Sequence, residues 1–274
     1  MMIKRILILT GIIIFFSGTV PDKVTWVAIG DSITYLNDHV DETENRITKG
    51  YLTLVTERLP NVTYVNHGHN GWTSGRIAEQ IESIGLIKAD VYTVFLGTND
   101  WWAGDPVGTM EDYTRNTGAG TMYGAFRIIT DKIKTLNNSA RIILITPMQR
   151  GDFVYIKWPG NNAYGSYQKK NNQDLEEFAN AILAIGKLES IPVVDLYHDS
   201  GIVQGNMVNF KRLKDPQTGE YRNFVYPDFI GVPFNPQMDE YPYPVEAMNM
   251  TYDGLHPSDK GHEIIAELLI AKLK

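Results

Sequence analysis

The stretch Val24-Thr25-Trp26-Val27-Ala28-Ile29-Gly30-Asp31-Ser32-Ile33-Thr34 decides how the chain is read. From Val24 to Ile29 apolar and β-branched residues fill nearly every position, the pattern of a strand buried on both faces rather than one that alternates between core and solvent. Gly30 ends the run and permits a tight turn there. Open α/β sheets bind ligands outside the carboxyl ends of their strands, so Ser32 is expected at the rim with its hydroxyl free. A serine hydroxyl is a weak nucleophile at neutral pH. It needs a base, a group to orient that base, and donors for the oxyanion that develops.

Outward from this stretch, strands and helices alternate. Tyr51, Leu52, Leu54, Val55 and Leu59 have helical spacing and stop at Pro60. Val62–Val65 reads as a short strand, followed by the loop His67–Ser74 and a helical pattern at Ile77, Ile81 and Ile84, with Thr73 or Ser74 as its N-cap. Further strands are expected at 90–96, 140–146 and 191–196, and helices at 122–136, 173–188 and 261–273. This alternation implies right-handed βαβ units and a mostly parallel sheet. Two segments break the rhythm, about 152–167 and 201–250. Both are rich in aromatic, Pro, Gly and Asn residues and read as irregular insertions near the site rather than as a second domain.

The distant partner for Ser32 is Tyr252-Asp253-Gly254-Leu255-His256-Pro257, in which His256 is the candidate base and Asp253, three residues earlier in a glycine-containing turn, can reach the far ring nitrogen. An isolated Asp-x-x-His is more often a surface turn, so this pair gains weight only from Ser32. The loops at Gly71 and Asn99 follow strands and reach the same sheet edge. A glycine amide, the Asn99 side-chain amide and the Ser32 amide are thus the candidate oxyanion donors. Ser32 and Asn99 could also be plain turn or capping residues, and Asp31 reads as a brace for the loop. His67 and His69 alternate at a strand end, but no third ligand is evident, so no metal and no cofactor is expected. His39, His198 and His262 read as surface or packing residues.

Gly30-Asp31-Ser32, Gly71, Gly97-Thr98-Asn99-Asp100 and Asp253-Gly254-Leu255-His256-Pro257 together resemble the ordered blocks of the SGNH (GDSL-type) hydrolases, and they span most of the chain. The resemblance implies a flavodoxin-like three-layer α/β/α sandwich and ester hydrolysis through an acyl-enzyme. It makes Ser32 the nucleophile, His256 the base and Asp253 its partner, with Ser32, Gly71 and Asn99 forming the oxyanion hole. The loop His69-Asn70-Gly71-Trp72 departs from the commoner small-residue version. No Gly-x-Ser-x-Gly occurs, which argues against the α/β-hydrolase elbow.

The formal net charge of −7 argues against a nucleic-acid partner, which usually calls for a basic surface, and the absence of cysteine excludes disulfides and thiolate chemistry. Lys4 and Arg5, the apolar run Ile6–Phe16 and the small residues Ser17, Gly18 and Thr19 read as an export signal over residues 1–20, leaving 21–274 as the hydrolase domain. The other readings are a buried strand or an uncleaved anchor. The run is shorter than the roughly 20 residues a membrane span takes, so no stable span is expected after signal removal. Trp72, Trp101 and Trp102 adjoin the proposed oxyanion donors and are candidate substrate-binding faces, or else walls of the cleft. With export they suggest an acylated carbohydrate as substrate. A short-chain lipid or other small acyl ester, acyl transfer, and a non-catalytic glycan-binding module are the alternatives.

Overall fold

The computed structural model describes residues 22–274, so the expected export segment 1–20 lies outside the described residues. Val24–Gly30 (β1), Val62–Gly68 (β2), Val91–Phe95 (β3) and Arg141–Ile145 (β4) are the long strands of a sheet. Phe153–Val154 (β5) and Asn162–Ala163 (β6) form a separate antiparallel ribbon, and Val193–Val194 (β7) closes the main sheet. Lys211–Lys214 (β8) and Tyr221–Phe224 (β9) make an antiparallel hairpin. The main sheet is parallel throughout, in the order β2-β1-β3-β4-β7. Strand order reverses at β1, and the crevice beside such a switch point is where doubly wound sheets hold ligands.

Both faces of the sheet are covered. Val27 and Ile29 of β1, Tyr92 and Val94 of β3, and Ile142 and Leu144 of β4 face one apolar cluster. Residues of Ser74–Glu79 (α3), Met122–Leu136 (α6) and Leu175–Glu189 (α7) close it. The intervening positions Trp26, Ala28, Phe95, Ile143 and Ile145 face a second cluster, built with Tyr51–Arg58 (α2) and Asp259–Leu273 (α9). Two-residue alternation along strands that are apolar at every position therefore supplies two cores, and the result is the three-layer α/β/α sandwich.

The shorter helices lie at strand ends. Ser32–Tyr35 (α1) and Thr98–Ala103 (α4) begin after β1 and β3; Met110–Arg115 (α5) packs on α6 and α7; Leu196–Asp199 (α8) follows β7. The polar stretch after α1 forms two short 3₁₀ turns. Gly30 serves a different purpose from the one its sequence position suggested. Its φ is not in the left-handed region, but a Cβ there would lie 2.1 Å from Thr34 Oγ1, so the residue is glycine because α1 folds back against it.

The segment 201–250 also differs from expectation. It contains the β8–β9 hairpin and its own apolar cluster of Val208, Leu213, Phe224, Phe229, Tyr243 and Ala247, joined by Val154. It lines none of the cavity described below and instead supports the segment 152–155 from behind. The Lys211 ammonium pairs with Asp152 at 2.9 Å, Tyr241 donates to the Val154 carbonyl at 2.9 Å, and Tyr243 donates to the Asp152 carbonyl. Among the described residues no helix is long and apolar enough to cross a membrane.

Candidate active site

At the carboxyl edge of the sheet three side chains from opposite ends of the chain meet. Ser32 is the first residue of α1, immediately after β1. Asp31 caps that helix by accepting from the Ile33 N–H at 3.0 Å. Asp31 is buried, and burial raises its carboxyl pKa to about 6, against the lowering effect of that N–H. It braces the turn, as its position suggested, and makes no hydrogen bond to His256.

Ser32 Oγ lies 2.8 Å from His256 Nε2, and His256 Nδ1 lies 2.7 Å from Asp253 Oδ2. A carboxylate only accepts, so Nδ1 carries the hydrogen and the neutral ring leaves Nε2 to accept from the serine hydroxyl. The turn that presents the imidazole is held at several points. Asp253 Oδ1 accepts from the backbone N–H groups of Leu255 and His256 at 3.0 and 2.8 Å. Gly151 N–H donates to Gly254 O at 2.7 Å, and Val154 N–H to Asp253 O at 3.2 Å. Gly254 has φ +89°, and a Cβ would lie 1.8 Å from Asp152 O, so glycine is required both for the conformation and for the approach. Tyr252 stacks on the imidazole and Phe153 meets it edge-on. Asp253 is wholly buried and His256 nearly so.

Ser32 and His256 open into a cavity of about 400 Å³, also lined by Gly71, Asn99, Trp102 and Arg150. The Ser32 and Gly71 N–H groups donate to no group among the described residues. Asn99 Nδ2 donates to the Trp72 carbonyl at 3.1 Å, which fixes the amide plane and leaves its second N–H unused. Asp100 ties the two loops together. Its carboxylate accepts the Ser74 N–H at 3.0 Å and the Ser74 hydroxyl, and burial raises its pKa to about 6. The loop after β2, bearing Gly71, is thereby fixed to the loop after β3, bearing Asn99. Such an arrangement can deprotonate a hydroxyl and receive an oxyanion beside it.

The three tryptophans divide. Trp102 lines the cavity. Trp101 does not, which corrects its reading as a substrate-binding face: it is fully buried in the core, with its indole N–H donated to the Gln173 carbonyl at 2.9 Å. The helical turn from Asn99 sends Trp101 inward and Trp102 outward. Trp72 stands outside the cavity lining, stacked on His69 with the Arg76 guanidinium over its face, and reaches the site through its carbonyl. Of the insertions, 152–167 contributes Phe153, Tyr155, Asn161 and Ala163 to the cavity, whereas 201–250 contributes none. Among the described residues no three His, Asp or Glu side chains gather as a metal ion would require.

Sequence reasoning missed Asp100 as the clamp between loops, and it missed Arg150. Arg150 stands beyond the end of β4, at the same sheet edge as Ser32 and Asn99, and that placement was the available signal.

The sequence profile of the GDSL-like lipase/acylhydrolase family matches residues 28–264. The chain is similar to the crystal structure of a possible lipase from Chitinophaga pinensis, at 64% identity and a TM-score of 0.91 over 92% of this chain and 98% of that one. A protein from Lactobacillus plantarum is 20% identical with a TM-score of 0.63, covering 93% of this chain and 98% of its own. An acetylxylan esterase from Geobacillus stearothermophilus is 16% identical with a TM-score of 0.52, over 93% and 95% of the two chains. The last two likenesses concern the fold. Among curated proteins the sequence has no match.

Proposed function

The chain belongs to the GDSL-like lipase/acylhydrolase family and is a hydrolase acting on ester bonds, and we propose that it removes O-acetyl groups from a carbohydrate, with Ser32 as nucleophile, His256 as base and Asp253 as the group that orients the base. The observation that carries this reading is the unbroken chain of hydrogen bonds from Ser32 Oγ through His256 to Asp253, opening on the cavity.

Ser32 Oγ attacks the ester carbonyl carbon while His256 Nε2 takes the hydroxyl proton. The carbonyl oxygen becomes an oxyanion within reach of the Ser32 and Gly71 N–H groups and the free N–H of Asn99. As the tetrahedral intermediate collapses, the ester C–O bond breaks and the alcohol leaves with the proton from His256. Water then attacks the acyl-Ser32 ester with His256 again as base, releasing the acid and restoring the hydroxyl. Asp253 keeps Nδ1 protonated and balances the imidazolium at each stage.

The carbohydrate half rests on the cavity's other lining. Trp102 offers an aromatic face, and Asn70, Thr73 and Asn161 offer polar groups suited to ring hydroxyls. The expected export of the chain through residues 1–20 would bring it to extracellular polysaccharides. Incubation with a panel of acetylated polysaccharides should release acetate with the wild-type protein and not with Ser32→Ala. Acetate release from none of them would remove the carbohydrate. A second reading, a short-chain lipid ester, is favoured by the 64% identity to a possible lipase. Faster turnover of tributyrin than of every acetylated sugar would replace the first reading with this one.

A further inference from the structure

Arg150 lines the cavity with a guanidinium that no hydrogen bond among the described residues satisfies. Its side chain is 1% exposed. Nε and Nη2 are buried and have no hydrogen-bond partner among the described residues. Nη1 has no hydrogen-bond partner among the described residues either but is not closed off in that way, and the residue lines the same cavity as Ser32 and His256. Around the guanidinium stand aromatic rings, with Trp102 at 5.5 Å, Trp101 at 5.7 Å and Phe153 at 5.9 Å from its central carbon. Burial pulls its pKa down to about 10, against the opposing pull of Asp253 and Asp152, so it is charged at neutral pH.

Removing a guanidinium from water without satisfying its N–H groups is costly, and proteins seldom leave such a group unpaired. Asp253 has both oxygens engaged, by His256 and by two backbone N–H groups. Asp31 is held by Ile33, and Asp152 by Lys211, Tyr167 and the Gly165 N–H. The neighbouring carboxylates thus balance charge at a distance while none accepts a hydrogen bond from Arg150. The open direction is the cavity.

We propose that Arg150 binds a carboxylate carried by the substrate, so that the preferred ester is an O-acetylated acidic sugar of the uronate class; this rests on the carbohydrate reading above. A monoanion matches a single guanidinium. A phosphate dianion would leave a second negative charge facing Asp253, Asp152 and Asp31. The ring joining ester and carboxylate lies against Trp102, with its ester at Ser32 and its carboxylate at Nη1. The net charge of −7 repels anions weakly at long range, but physiological salt screens that beyond about 8 Å. Selection therefore depends on the contact made inside the cavity.

The test has two arms. In the first, acetate release is compared on an acetylated polygalacturonate and on the same polymer with its carboxyls methyl-esterified. Wild-type kcat/KM should favour the free carboxylate by about tenfold or more, the effect of one charge-assisted hydrogen bond. Arg150→Gln should bring the two values together, and Arg150→Lys should retain part of the preference. Equal wild-type rates on the two polymers, or a preference that survives in Arg150→Gln, would overturn the assignment. The second arm needs no variant, so a failure of Arg150→Gln to fold does not matter to it. Galacturonate should inhibit wild-type hydrolysis of p-nitrophenyl acetate at concentrations about tenfold below those of galactose. Equal inhibition by the two sugars, or stronger inhibition by galactose 1-phosphate than by galacturonate, would contradict a carboxylate site. Should no acetylated polymer be hydrolysed, the carbohydrate reading falls alone, and the competition still decides whether the cavity prefers a carboxylate.

Discussion

Ser32, His256 and Asp253 occupy one hydrogen-bonded line although 224 positions separate the first two, as the turn after β1 and the turn before α9 bring them together. Asn99 has the next best-defined position, because the Trp72 carbonyl fixes its amide plane and leaves one N–H unspent. Asn99→Ala should therefore lower kcat by about 10²–10³ with little change in KM, as expected of a donor that acts on the developing oxyanion. Steady-state kinetics on p-nitrophenyl acetate reads this directly, and a loss confined to KM would contradict it. These residues were legible in the sequence because each sits in a short glycine-containing block, Ser32 and Asn99 after strands and Asp253 and His256 in the turn before α9. Asp100 and Arg150 were not. What singles them out is burial and the presence or absence of a partner, and neither property is written in local residue order.

At the level of elements, the site depends on how tightly its turns are held. The turn from Asp253 to His256 is pinned by Gly151, Val154 and the absence of a side chain at Gly254. Gly254→Ala would force a Cβ against the Asp152 carbonyl at a positive φ, and should cost about 1–3 kcal/mol of stability, as overpacking commonly does. It should also lower activity by displacing His256. Thermal unfolding and turnover measured on the same preparation test this; an unchanged midpoint with full activity would contradict the tight packing. The four long strands and helices α6, α7 and α9 were readable from periodicity to within a few residues. At the last sheet strand the apolar run 191–196 gave only Val193–Val194: Pro192 has no N–H to donate, and Asp195 caps α8 by accepting from the His198 N–H. The β8–β9 hairpin escaped notice because Lys211-Arg212-Leu213-Lys214 carries charge at nearly every position. Its Lys211 is buried, paired with Asp152 and lying over the rings of Phe229 and Tyr243.

The whole molecule carries ionisable groups deep in its interior, and they make its stability depend on pH. His262 of α9 is buried beside Tyr51, with Nδ1 unpartnered among the described residues, and burial pushes its pKa down to about 3. An unfolded histidine titrates near about 6.5. Between those values the unfolded chain binds a proton that the folded chain refuses, so this group's contribution is intact above about pH 6.5 and is lost progressively as pH falls toward 3. Asp31 and Asp100, both raised to about 6, act in the opposite sense: the folded chain holds their protons longer, and their contribution falls as pH rises from about 4 through 6. Comparing wild type with His262→Phe isolates the histidine. Between pH 7 and pH 4.5 the wild type should lose about 2–3 kcal/mol more than the variant in urea unfolding, at 1.36 kcal/mol per pKa unit. A difference that stays constant across that range would contradict a neutral buried imidazole.

His256 Nε2, 2.8 Å from Ser32 Oγ, is placed to take the hydroxyl proton and make Ser32 reactive toward phosphonylating reagents. Treatment with a fluorophosphonate followed by peptide mass spectrometry asks which side chain reacts. A single adduct on the peptide containing Ser32, absent from Ser32→Ala and strongly slowed in His256→Ala, is the expected result. An adduct on another residue, or active enzyme that takes no label, would contradict Ser32 as the nucleophile.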